Sequence, residues 1–98
     1  MKEIKQINGL GDTEHLMKSS DYKERFVAEY LQTKIRYEKL KAFCNKIEAA
    51  RLAVKPGPEH DCPFHLLKDQ QKIMGEYLHI LEIRAVIEHI NLEEYKCN

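Results

Sequence analysis

The feature that most restricts this chain is a break, Val54-Lys55-Pro56-Gly57-Pro58-Glu59-His60-Asp61, set between two long stretches that read as helix. Two prolines around a glycine cannot lie inside a helix or a central strand, so the break is a turn. Upstream, Asp21 stands where a helix needs a cap, and Glu24 three residues on completes a capping box. From there a seam steps by four and three through Phe26, Tyr30, Thr33, Tyr37, Leu40, Cys44, Ile47, Arg51 and Val54, with no Pro or Gly inside it. Downstream, Asp61 or Cys62 can cap a second helix with Pro63 in its first turn. Its seam is Leu67, Gln71, Met74, Leu78, Leu81 and Ala85, continued to Leu92. Two helices of about 30 residues are rods of ~40–50 Å, and a short turn forces them antiparallel. The predicted fold class is all-α: a long antiparallel two-helix hairpin over residues 21–92, an N-terminal extension (1–20, a short helix or flexible) and a C-terminal tail (93–98).

Each helix carries more apolar surface than one partner covers. Beside the first seam lie Val27, Leu31, Ile35 and Phe43; beside the second lie Ile73, Tyr77, Ile80 and Ile87. An arc this wide asks for neighbours on two sides, and a lone hairpin of this size is marginal. Either residues 1–20 fold back over it or two hairpins meet as a bundle, and self-association with two-fold symmetry is the favoured expectation. In the N-terminal stretch Asn8-Gly9-Leu10-Gly11-Asp12 signals a turn, and Asp12 could cap a short helix through Leu16 and Met17. Charge also divides along the chain. Residues 21–55 hold nine Lys/Arg against five Asp/Glu, and residues 56–98 hold four against eight. Complementary hairpin edges explain this division. Its functional counterpart is an anion-attracting face of Lys34, Arg36, Lys39, Lys41 and Lys46.

Composition removes several classes of function. With 98 residues the chain is one domain at most. Sixteen basic against sixteen acidic residues leave no general case for binding nucleic acid or a membrane surface. No apolar run approaches the ~20 residues that span a bilayer, and the polarity of Met1-Lys2-Glu3-Ile4-Lys5-Gln6 alternates unlike a signal segment. Cys44, Cys62 and Cys97 are odd in number and widely spaced, the wrong arithmetic for a disulfide-stapled domain. The expected location is a cytosol.

No metal or catalytic centre assembles on paper. His60-x-Cys62-x-x-His65 lacks the second half of a zinc site. Glu76-x-x-His79 has the spacing of a di-iron motif, yet the first helix offers no histidine to pair with it. Nucleophile elbows and phosphate loops are missing too, so the chain is not expected to be an enzyme. More informative is Arg84, which stands in the row of Tyr77, Ile80 and Ile87 where an aliphatic residue would fit. Counting back from a turn centred near residue 58 sets it level with Tyr30, Thr33 and Tyr37. A buried guanidinium needs an acceptor. Glu29 is the internal candidate; a bound anion held by Arg84, Arg36 and the hydroxyls of Tyr30 and Tyr37 is the external one.

Asp21-Tyr22-Lys23-Glu24-Arg25-Phe26, Ala28-Glu29-Tyr30 and Lys34-Ile35-Arg36-Tyr37-Glu38-Lys39-Leu40 resemble a family of short proteins encoded by phages and prophages of clostridial and other gut Firmicutes. Asp61-Cys62-Pro63, Met74-Gly75-x-Tyr77-Leu78 and Leu81-Glu82-x-Arg84-Ala85 extend the resemblance to residue 92. It implies a small accessory protein of an infected bacterial cytoplasm, with no catalytic residues to carry over and no cofactor. In architecture alone the chain is also similar to phage sponge proteins of the anti-CBASS and anti-Thoeris kind, helical hairpins that take up cyclic nucleotide signals. Together these imply a non-enzymatic antagonist of bacterial antiviral defence. If it sequesters a cyclic nucleotide messenger, Tyr30, Arg36, Tyr37 and Arg84 are the expected ligand contacts. If it binds a defence protein directly, as anti-CRISPR proteins do, Lys34, Lys39, Lys41 and Lys46 form the expected partner face. A scaffolding module for phage assembly or regulation is the remaining alternative.

Overall fold

The computed structural model describes residues 5–7 and 10–97. The Asn8-Gly9 half of the turn signal, the opening Met1–Ile4 and the Cys97 thiol lie outside that description. The protein is an all-α hairpin built on α2 (Tyr22–Leu52) and α3 (Phe64–Ile87), within an envelope of 49 × 25 × 23 Å. A single turn of 3₁₀ helix, Leu10–Thr13, leads into the short α1 (Glu14–Met17). At the open end of the hairpin two three-residue strands, β1 (Lys5–Ile7) and β2 (Tyr95–Cys97), pair in parallel with Lys5 opposite Tyr95.

Local chemistry sets the helix ends, in places differently from expectation. The Asp21 carboxylate caps α2 by accepting from the Lys23 backbone N–H at 2.9 Å. The capping box does not close. Glu24 instead accepts from the Ser19 hydroxyl at 2.8 Å, and that hydroxyl takes the Asp21 N–H that Glu24 was expected to hold. At α1, Thr13 and not Asp12 occupies the cap position. At α3 the cap position falls to Pro63 itself, whose carbonyl accepts from Leu66 and Leu67, so neither Asp61 nor Cys62 serves.

Helix α3 also stops short of Leu92. His89 adopts the left-handed conformation (φ 58°), and the Ile90 N–H returns to the Ala85 carbonyl at 2.8 Å. This is a Schellman ending, and it folds the Ile90 side chain back into the core. α2 ends the same way, with Val54 left-handed (φ 53°) and the Lys55 N–H on the Ala50 carbonyl. The connection then runs close against α2. A Cβ on Gly57 would lie 2.9 Å from that of Ala50, and His60 sets its ring edge-on to Phe43.

The seam is buried at the open end, through Phe26, Tyr30, Leu78, Leu81 and Ala85. Nearer the turn Cys44 and Ile47 continue it, but Arg51 and Val54, expected in the same seam, are exposed, Val54 because the helix ends at Leu52; Leu52 and Leu66 are exposed as well. The second row of α2 is covered: Val27, Leu31 and Ile35 form one cluster with Leu16 and Ile90, against which Leu92 and Tyr95 pack. Residues 10–17 thus fold back onto α2. Leu16 and Thr13 are fully enclosed, and the Thr13 hydroxyl accepts from Gln32 at 3.0 Å. Burying a leucine so completely contributes about 1.5–3 kcal/mol. The second row of α3 meets no such cover.

Candidate binding groove

Between α2 and α3, on the edge where the C-terminal segment crosses, the side chains leave a groove. Tyr30, Lys34 and Tyr37 supply one wall; their spacing of four and three puts them on one helix face. Gly75 and Glu82, seven residues apart on α3, supply the other. The groove widens toward Asn91, Glu93 and Tyr95 into a cavity of about 450 Å³. A second cavity of about 230 Å³ beside Tyr37 shares Tyr30, Lys34 and Glu82 with it. Among small-molecule sites, ~300–1,000 Å³ is the usual range, so the larger part alone has room for a nucleoside.

Two contacts shape its walls. The Tyr30 hydroxyl donates to Glu82 at 3.1 Å, and Lys34 lies over the Tyr30 ring at 5.7 Å. Gly75 lies close under the Tyr37 ring: a Cβ there would stand 3.2 Å from Tyr37 Cε1, so the ring would have to give by a few tenths of an ångström. A mid-helix glycine costs about 1 kcal/mol against alanine, which the close-packed tyrosine offsets. In charge the groove is divided: Glu38, Glu82 and Glu93 are acceptors, and Lys34 is the cation among its lining residues. Among the described residues no three His, Cys, Asp or Glu side chains converge to hold a metal ion.

Of the residues expected to contact a ligand, Tyr30 and Tyr37 meet here and Arg36 and Arg84 do not. Arg36 is two residues from Lys34, a turn of about 200° around α2, which carries it to the opposite edge. Arg84 is neither buried nor paired with Glu29. It extends along its own helix, away from the turn, to Glu88 (2.8 Å from Nε), and its guanidinium lies 4.9 Å from the centre of the Phe26 ring. The level expected from a symmetric count, near Tyr30, Thr33 and Tyr37, is therefore displaced toward the open end. Glu29 is engaged instead by the Tyr77 hydroxyl, and that hydrogen bond raises the Tyr77 phenol above its ordinary pKa. The Arg84 bond holds the Glu88 carboxyl below its ordinary range.

The four lysines of the expected partner face separate as well. Lys34 and Lys41, seven apart, follow the groove edge; Lys39 and Lys46, also seven apart, lie about 140° around the helix. Glu82, Asn91 and Tyr95 were not anticipated. Gly75 was the available signal, because a glycine inside a strong helix pattern marks a close approach. Nothing local marked the tail. A protein-family model, Sequestin, matches residues 20–87 of this chain. The chain matches no curated protein and no solved structure.

Proposed function

The chain belongs to the Sequestin family, and on that premise we propose that it works by binding and not by catalysis. It sequesters, in stoichiometric amounts, a cyclic nucleotide signal of a bacterial antiviral defence system. The family name speaks of sequestration. The resemblance of residues 21–92 to phage and prophage products supplies the setting, the cytoplasm of an infected bacterium. Among the described residues no helix is long and apolar enough to cross a membrane, which accords with that setting.

The observation that carries the reading is the divided groove around Lys34. A nucleotide is divided in the same way. Its base and ribose offer N–H and O–H donors, suited to Glu82 and Glu93, and a flat face suited to the rings of Tyr37 and Tyr95. Its phosphate needs a cation, which Lys34 provides within the groove and Lys41 two turns further along the edge. Arg36 and Arg84 have no part in this arrangement.

Calorimetric titration with a panel of cyclic mono- and dinucleotides, and linear mononucleotides as controls, tests it. Saturable uptake of one of them is expected, with the ligand recovered unaltered. Lys34→Glu should weaken that uptake at least tenfold while the circular-dichroism melt stays in place. A silent panel, a chemically converted ligand, or an affinity indifferent to Lys34→Glu would each overturn the reading.

A further inference from the structure

Among the described residues, the second row of α3 is a run of exposed apolar side chains that the groove does not use. Leu66, Ile73, Ile80 and Ile87 repeat every seven residues, and each is more than half exposed, from 53% at Leu66 to 69% at Ile87. Ile83 and Tyr77 widen the row on either side. A strict seven-residue repeat is the period that keeps one seam of a helix against another helix. These six side chains expose on the order of 600 Å², already most of the ~800 Å² that a standard interface takes from each partner. Monomeric proteins seldom leave a contiguous patch of this size open.

Charge selects the occupant. Asp69, Glu76 and Arg84 lie within or beside the row. A second α3 laid parallel would bring each of them against its own counterpart. Laid antiparallel about a two-fold axis between Glu76 and Tyr77, it sets Leu66 opposite Ile87, Ile73 opposite Ile80, and Asp69 opposite Arg84. Those three pairings are apolar with apolar or acid with base, each occurs twice as a self-complementary interface requires, and Glu76 falls opposite Tyr77 instead of a second Glu76. Arg84 is already positioned for this. Glu88 takes its Nε and Nη2, Phe26 supports the plane from below, and the side chain is half exposed.

We propose that this face docks a second copy of the chain, α3 against α3 and antiparallel, with Arg84 reaching Asp69 of the second copy. An arginine in an aliphatic row thereby acquires a reason: one charged pair per half fixes direction and register in a seam that is otherwise uniform. Ile73 and Ile80 are two residues from Gly75 and Glu82, about 200° around α3. The docked copy therefore leaves the groove open, and dimerisation and ligand uptake can fail separately.

Two experiments test the proposal. In sedimentation equilibrium at micromolar concentration the protein should run at twice its 11.6 kDa chain mass. Ile73→Glu with Ile80→Glu should run at the single mass with undiminished helical circular dichroism, because both positions are exposed within one chain. Direction is read by mixing Leu66→Cys and Ile87→Cys proteins under mild oxidation and mapping the linked peptides. A disulfide joining 66 to 87 is expected. A monomeric wild type, a dimer that survives the double glutamate variant, or dominant 66–66 and 87–87 products would overturn it; a monomer that captures a defence protein through this face would assign the face to that partner instead.

Discussion

Helices α2 and α3 carry the same kind of second apolar row, and the protein treats the two rows in opposite ways. On α2, Val27, Leu31 and Ile35 are at most 6% exposed, because Leu16 comes from one end of the chain and Ile90 from the other to cover them. On α3, Ile73 and Ile80 remain 64% and 54% exposed. Both terminal segments converge on the same side, held together by the parallel pairing of β1 with β2. An apolar row thus states a demand for cover without stating its source. For α2 the source is intramolecular. For α3 the charge pattern around Arg84 points to a second copy.

The contrast is sharpest in stability. Leu31→Ala and Leu16→Ala remove fully enclosed side chains and should each cost about 2–5 kcal/mol in urea unfolding. Ile80→Ala, measured at concentrations too low for association, should change stability by less than about 0.5 kcal/mol. Equal losses at Leu31 and Ile80 would erase the distinction between a covered and an open row.

The groove gives the next largest effect. Gly75→Ala alone gains helix propensity but presses on Tyr37, so its net effect is small or unfavourable. In a Tyr37→Ala background the same change should stabilise the protein by about 1 kcal/mol. A double-mutant cycle with no coupling would remove Tyr37 from the groove wall.

The helix ends repeat the covered-and-open theme. At the end of α3 the left-handed His89 is followed by the buried Ile90; at the end of α2 the left-handed Val54 is 90% exposed and packs on nothing. A β-branched residue there carries strain of about 1–2 kcal/mol with no packing in return, so Val54→Gly should stabilise by up to about 1 kcal/mol.

The smallest effect is electrostatic. Arg84 lowers the pKa of Glu88, so the bond's contribution is present above the ordinary carboxylate pKa and is lost as pH falls through the lowered one. The difference in melting temperature between wild type and Glu88→Gln should therefore hold at neutral pH and close as pH falls below the ordinary carboxylate range.

The hairpin was legible because its signals are local: the Pro56-Gly57-Pro58 break, the Asp21 cap and the four-three spacing all act within a few residues. The errors come where distant segments decide. No glycine marks the end of α3, so the apolar spacing alone carries the seam on to Leu92, whereas left-handed His89 turns Ile90 inward. A symmetric count about residue 58 sets Arg84 too near the turn: the pairs Tyr30–Glu82 and Tyr37–Gly75 centre the register on residue 56, and the Arg84 side chain lies against Phe26. The tyrosines of the groove lay on a visible helix face; Glu82 and Tyr95 joined them only through the packing of α3 and the return of the tail.

Native mass spectrometry with the cyclic nucleotide panel puts the central claim, sequestration in the groove, to the most direct test. A discrete assembly that carries one unaltered nucleotide per chain, and loses it on Lys34→Glu, is the expected result. A folded protein that stays bare against every member of the panel would contradict it, whatever the number of chains in the assembly.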